Sequence, residues 1–281
     1  MEVGHAGWLT VELTTDTTSR VQLDFTEQSI RSMPFQAAAD YTAQVIAAKY
    51  NNLHLGLSGG LDSEFVAAVL LRNQIPFTPV IFDYGMNSAE LWYAKEFCRR
   101  HNLKPQVTQM DLRDMLALYR QCSLELGFLE SFEINVVSVA LPLLYPDAHF
   151  ITGYGELLSS ASDTLTGSEY IPRVLEAMPH DWFLEVYSKQ SHPGAFFSYT
   201  PELMYSFINS INFDTNLQTA KSSLYNVPNR PKIAASFWHH RYGDDQADTI
   251  YSRIIRSVHR EEIPLTLDYD DFKHKFIIDS Q

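Results

Sequence analysis

Residues 53–73 read LHLGLSGGLDSEFVAAVLLRN, an apolar run, a loop with three glycines and two serines, and a second apolar run. The flanks have different periods and the middle suits tight turns, so the stretch predicts strand, loop and helix in that order. Gly59 and Gly60 permit positive φ and close approach, which lets successive backbone N–H groups point inward as an anion-binding nest. The helix that follows adds its N-terminal dipole and unpaired N–H groups, and Ser58 and Ser63 add hydroxyl donors. Asp62 would repel a phosphate by itself. It becomes useful when a magnesium ion lies between carboxylate and phosphate. The loop therefore predicts a metal-bound polyphosphate; the plain alternative is a glycine turn capped by Ser or Asp. A Walker A loop is excluded, because GxxxxGK[ST] is absent, and so is the GxGxxG dinucleotide fingerprint.

Strands and helices alternate on either side of this loop. WLTVELT and RVQLDF alternate as strands, with Thr15 to Thr18 between them as a turn, and predict a short N-terminal hairpin. PFQAAADYTAQVIAAKY predicts a helix with Pro34 near its start. His54 to Leu57 then form a buried strand, Asp62 to Asn73 a helix, Phe77 to Tyr84 a strand and SAELWYAKEFCRRHN a helix with basic residues in its last turn. PQVTQMD (strand), LRDMLALYRQC (helix), FEINVVSVALPLLY (apolar helix) and HFITG (strand) complete the series. Such an order implies an α/β fold, a parallel twisted sheet with helices on both faces, whose ligands bind at the carboxyl ends of the strands. Beyond about residue 165 the pattern turns helical and aromatic, in HDWFLEVYSKQ, in TPELMYSFINSI with Thr200 as N-cap, and in QADTIYSRIIRSVHR. We expect a β extension over residues 1–32 and one domain over 33–281, its core at about 50–165 and a helical C-terminal portion at about 166–281.

A formal net charge of -13 has the wrong sign for a protein whose main partner is duplex nucleic acid. Two cysteines, Cys98 and Cys122, with no CxxC, argue against a disulfide framework and a structural zinc site. The first residues lack a basic region followed by an apolar core, and no run approaches the roughly 18–20 apolar residues of a membrane span. A cytoplasmic protein is the expectation. The two histidines of Trp238–His240 are adjacent and do not share a helical face, which disfavours metal ligation, and the aromatic stretch PGAFFSYTPELMYSF reads as core and lid packing.

SGGLDS, in its strand–loop–helix setting, closely resembles the SGGxDS signature of the PP-loop ATP pyrophosphatases. That family includes the synthetase domain of asparagine synthetase, GMP and NAD synthetases and tRNA-modifying sulfurtransferases. The resemblance implies the adenine nucleotide alpha hydrolase-like fold, with ATP and Mg2+ as cofactors. It implies that Ser58, Gly59, Gly60, Leu61, Asp62 and Ser63 grip the β- and γ-phosphates, which leave as pyrophosphate. A substrate oxygen attacks the α-phosphate to give an adenylate, and a second nucleophile displaces AMP. Two further segments resemble asparagine synthetase. One is VIFDYGMNSAELWYAKEFCRRHNLKPQV, in which Asp83 either faces the nucleotide or forms a turn. The other is ITGYGELLSS, similar to SGxGxDExxGG, which offers Gly153, Gly155 and Glu156. Glu156 would be a second acid on magnesium or pyrophosphate, or else the cap of a helix. AKSSLYNVPNRPK carries Lys221, Arg230 and Lys232. One of these would stabilise the charge that develops on the α-phosphate; a solvated basic loop is the other reading.

Two absences discriminate among the relatives. Residue 2 is Glu, where glutamine-dependent asparagine synthetases carry a catalytic cysteine, and only about 50 residues precede the loop. Persulfide chemistry and the zinc-bearing deazapurine nitrile synthase need cysteine pairs or clusters, which these residues lack. The resulting expectation is an asparagine synthetase-like, AMP-forming ligase that joins a small-molecule carboxylate or amide substrate to free ammonia, an amine, or ammonia from a separate subunit. Several members of the family pair as dimers, and the resemblance allows a homodimer here without fixing the oligomeric state. Two alternatives stand beside it: a PP-loop enzyme that adenylates a nucleic-acid base, and a non-catalytic ATP- or AMP-binding protein.

Overall fold

The computed structural model describes residues 30–83, 87–110, 140–155, 191–211 and 217–228, together with the backbone of three short N-terminal strands. Those strands, β1 (Glu2–His5), β2 (Leu9–Glu12) and β3 (Arg20–Leu23), form an antiparallel sheet in the order β1-β2-β3. The expected hairpin is its β2–β3 half, in the register Val11↔Val21. The strand Glu2–His5 was not foreseen, because its four residues are too few to show an alternation.

The second sheet is built as the alternation of elements requires. Its strands are β4 (Leu53–Gly56), β5 (Thr78–Asp83), β6 (Gln106–Gln109), β7 (His149–Thr152) and β8 (Gly194–Ala195), all parallel, in the order β6-β5-β4-β7-β8. After β4 the chain turns to one side for β5 and β6, and later to the other for β7 and β8. The reversal falls between β4 and β7, which pair with Leu55 opposite Ile151. Crevices at such switch points, outside the carboxyl ends of the strands, are where open parallel sheets bind ligands.

Strand side chains alternate between two apolar layers, so both faces of the sheet must be covered. On one side Leu53, Leu55, Leu57, Ile81 and Ile151 meet α1 (Phe35–Lys49), α2 (Leu61–Arg72), α3 (Ser88–Arg100), α4 (Pro201–Ser210) and α5 (Leu217–Tyr225). On the other, Val80, Phe82 and Phe150 meet Ala140 and Leu141 of a helical stretch at 140–144. Helices α1 to α3 lie within a residue or two of the stretches their periodicity marked, and basic residues end α3 as expected. Thr200 caps α4 as its sequence predicts, accepting a hydrogen bond from the Leu203 N–H, with Pro201 in the first turn. Much of the aromatic stretch is core: Phe196, Phe197 and Phe207 are fully buried, whereas Tyr205 is exposed. Cys98 is buried as well, which pushes its thiol up to about 11 and leaves it a packing residue.

Two elements of this half escaped the sequence. β8 has two residues, and α5 occupies the stretch for which a solvated basic loop was one reading. The loop reading is corrected at Lys221, which lies in a helix and is 6% exposed. The readings of LRDMLALYRQC, of HDWFLEVYSKQ, of QADTIYSRIIRSVHR, of Cys122 and of Trp238–His240 lie outside the described residues. No helix among the described residues is long and apolar enough to cross a membrane.

Candidate nucleotide site

The loop from Leu57 to Leu61 leaves β4 at the switch point and enters α2. The Leu57 N–H donates to the Val80 carbonyl at 2.8 Å, which carries the strand pairing one residue past β4. Gly59 then takes φ +80, and a Cβ placed on it would lie 2.3 Å from the carbonyl oxygen of Glu90 in the first turn of α3. Both facts require glycine: one is conformational, the other the close passage of a second backbone. Asn87 holds that turn of α3 in place, its side-chain amide donating to the Phe82 carbonyl at 2.9 Å and to the Glu90 carboxylate at 3.3 Å.

The two serines tie the loop to itself. Ser58 and Ser63 hydroxyls are 3.1 Å apart, the Gly60 N–H donates to Ser58 Oγ at 3.3 Å, and Ser63 Oγ donates to the Gly60 carbonyl at 3.2 Å. Helix α2 starts after Gly60 without a side-chain cap. That leaves the first-turn N–H groups, which a cap would otherwise take, at the positive end of the helix dipole, the arrangement that suits an anion. Gly153, just past β7, closes the other wall. Its Cα sits so near α2 that an added Cβ would lie 2.7 Å from the Ser63 nitrogen. Gly155 instead faces the short 3-10 turn Phe196–Ser198, where an added Cβ would meet Ser198 Oγ at 2.5 Å. Asp83 stands at the carboxyl end of β5, the strand beside β4.

Helix α5 supplies what the loop lacks. Lys221 Nζ donates to Asp62 Oδ2 at 2.8 Å, and the Tyr225 hydroxyl donates to Asp62 Oδ1 at 2.6 Å. The two residues are one helical turn apart and so share a face. The lysine side chain is 7% exposed and the aspartate 26%, so this ion pair is well shielded from water. Tyr225 lies in a stack of aromatic rings, 4.4 Å from Phe65 and 5.8 Å from both Phe35 and Phe197. The structure thus brings Lys221 to the loop, as one of three candidate cations. Arg230, Lys232 and Glu156 lie outside the described residues. Sequence reasoning missed Tyr225 and Asn87. The i, i+4 spacing of Lys221 and Tyr225 was the only available signal, and it required α5 to be recognised as a helix.

Magnesium fits this arrangement by the chemistry of its donors. It favours one or two carboxylates together with phosphate oxygens over an all-protein cage. Asp62 offers such a carboxylate, and each of its oxygens keeps a lone pair beyond the one engaged by α5. Among the described residues no three His, Cys, Asp or Glu side chains converge on a metal position.

No family model matches the chain. A stretch of 58 residues is 41% identical to a 7-cyano-7-deazaguanine synthase of Picrophilus torridus; it makes up 20% of this chain and 24% of that protein, so the chain spans about a quarter of the curated relative it matches. Among solved structures, an NH3-dependent NAD synthetase from Campylobacter jejuni is 15% identical with a TM-score of 0.35, covering 89% of this chain and 95% of that one. A glutamine-dependent NAD+ synthetase from Acinetobacter baumannii is 12% identical with a TM-score of 0.40, over 94% of this chain and 47% of that one. An NMN synthetase from Francisella tularensis is 11% identical with a TM-score of 0.35, over 85% of this chain and all of that one, 100%.

Proposed function

We propose that the chain is a PP-loop enzyme that binds ATP with magnesium at Ser58–Ser63 and transfers AMP to a carboxylate or carbonyl oxygen. The observation that carries this reading is the SGGLDS loop at the sheet's switch point, its aspartate joined to a buried lysine from a distant helix. The local match to the deazaguanine synthase adds support. Backbone N–H groups of the loop and the first turn of α2 would hold the β- and γ-phosphates, and the serine hydroxyls would swing from each other onto phosphate oxygens. Asp62, joined in our reading by Glu156, would hold the metal. When bound, magnesium neutralises phosphate charge and eases departure of pyrophosphate. Lys221 or Lys232 would stabilise the charge that shifts onto the α-phosphate and the leaving group, and Arg230 the triphosphate. The substrate oxygen bonds to the α-phosphorus, the bond to the β-phosphate oxygen breaks, and ammonia or an amine then displaces AMP to give an amide or C–N bond.

In this reading the acceptor is a small-molecule carboxylate or amide and the nearest chemistry is that of asparagine synthetase, with a soluble cytoplasmic setting, a homodimer and a separate ammonia source as its corollaries. The local deazaguanine synthase match favours a second acceptor class, a 7-deazaguanine, activated by the same first step but without the cysteine cluster expected of such a synthase. The test is exchange of labelled pyrophosphate into ATP, with magnesium, ammonium and a panel of amino acids, other carboxylates and 7-deazaguanines. AMP and pyrophosphate as products support the reading; ADP and phosphate, or no exchange with any acceptor, overturn it in favour of a kinase-like enzyme or a nucleotide-binding protein. Asp62→Asn is expected to lower the exchange rate about 100-fold or more, the scale on which lost charge stabilisation acts.

A further inference from the structure

We infer that helix α5 presets Asp62 for a divalent cation: Tyr225 is a positioning residue that fixes the carboxylate through Oδ1, while Lys221 stands at Oδ2 in the cation's place. The inference rests on the ATP–magnesium reading and assigns roles within that site.

The two donors on Asp62 differ in how readily they can leave. Tyr225 is 3% exposed, and its ring packs nearly parallel to three others, at 18° to Phe65, 17° to Phe35 and 24° to Phe197. A phenol has two side-chain torsions, and here the stack holds both. Its hydroxyl therefore reaches Oδ1 from a fixed point, and a hydrogen bond to one carboxylate oxygen restricts rotation about the Cβ–Cγ bond. Lys221 is of another kind. A lysine ammonium is a compact charge on a flexible four-carbon stem, able to let go of one oxygen and follow another within its reach. At 2.8 Å from Oδ2 it supplies the positive charge that a partly shielded carboxylate needs when no other cation is near.

Three consequences follow. A divalent ion arriving alone competes with the ammonium for Oδ2 of Asp62, so Lys221 weakens metal binding. An ion arriving with a polyphosphate meets a smaller barrier, since the displaced ammonium gains a phosphate oxygen as its partner. Metal and nucleotide thus bind with positive coupling, and each raises the affinity of the site for the other. Tyr225 acts in the opposite sense to Lys221. It lowers the cost of ordering the carboxylate, so its hydroxyl tightens metal binding.

The experiment measures Mn2+ affinity by paramagnetic relaxation on the full chain, first with Mn2+ alone and then with an ATP analogue whose α- and β-phosphates are joined by a methylene. Wild type, Lys221→Met and Tyr225→Phe are compared, with Asp62→Asn as the blank and Lys221→Gln in reserve should the methionine variant fail to fold. With Mn2+ alone, removing the ammonium is expected to tighten binding about tenfold, the exchange of one charged hydrogen-bond competitor. With the analogue present, Tyr225→Phe is expected to weaken Mn2+ binding about tenfold for the same reason, at an unchanged melting temperature because the phenyl ring keeps the stack. Unchanged Mn2+ affinity in either lysine variant, or in Tyr225→Phe, overturns the inference. Failure of the wild type to bind the analogue overturns the ATP reading instead, and the Mn2+-alone comparison then still decides the role of Lys221.

Discussion

The site has two halves that reach it by different routes. The loop and first turn of α2 are contiguous in sequence, and their chemistry is written in six consecutive residues, Ser58 to Ser63. Helix α5 arrives 159 and 163 residues after Asp62, measured at Lys221 and Tyr225, and carries no motif of its own. The first half is held by backbone geometry: a positive φ, a passing carbonyl, an uncapped helix start. The second is held by apolar packing of rings, which then delivers two polar groups to one carboxylate. A phosphate loop can thus be recognised locally, whereas the groups that tune its acid are a product of the fold.

The largest effect is expected from breaking the local half. Gly59→Ala introduces a side chain at φ +80 and 2.3 Å from the Glu90 carbonyl, an atom of the backbone that cannot rotate aside. Strain at that dihedral and overpacking against α3 together are expected to cost about 3–6 kcal/mol. Nucleotide-dependent rises in melting temperature should disappear, and thermal unfolding monitored with and without ATP checks both. The remote half breaks through its packing. Phe65→Ala removes the ring at the centre of the stack that seats Tyr225, a fully buried side chain on α2. We expect about 3–5 kcal/mol of destabilisation by urea denaturation, the usual range for such truncations. If the two halves are as separable as their origins suggest, this variant retains a measurable, weaker nucleotide response while Gly59→Ala retains none.

What could be read from the sequence follows the same division. The strand–loop–helix at 53–73 was legible because glycine, serine and periodicity act over a few residues, and the parallel sheet because its strands alternate with helices. Its exact strand order required knowing that β7 pairs with β4 across about 95 residues, which no local pattern records. Lys221 was identified as a candidate for its charge in an acidic chain, yet its helix was not, since LQTAKSSLY is short and polar on one side. Tyr225 looked like one more aromatic. Its hydroxyl matters because four rings from α1, α2, α5 and the turn after β8 happen to close on one another, a fact about tertiary packing alone. Gly153 was read as a ligand glycine, and what the structure shows for it is a packing reason, its close approach to the backbone of Ser63.

A remote contact at the other end of the sheet sharpens the distinction between building the fold and building the site. His192 lies just before β8, 7% exposed, and its Nδ1 accepts the Phe150 N–H at 3.1 Å. That bond places the proton of the neutral ring on Nε2, which has no hydrogen-bond partner among the described residues. Burial, and secondarily the neighbouring His149, lower its pKa to about 4 from the usual 6.5; the Tyr50 hydroxyl donates to the His192 carbonyl. The unfolded chain therefore binds the proton more readily than the folded one between pH 6.5 and 4. Stability from this group is fully present above pH 6.5 and is lost as pH falls through the folded value, by about 3 kcal/mol in full. Urea unfolding at a series of pH values should show wild type losing stability across that window and His192→Asn, whose amide oxygen can accept the same N–H, losing less. Because the group sits at the amino ends of the strands, away from the Asp62–Lys221–Tyr225 cluster, the same substitution should leave Mn2+ affinity at neutral pH within about twofold of wild type, as expected for sites far enough apart to act independently. A larger change would mean that the two ends of the sheet are coupled and that fold and site cannot be separated along it.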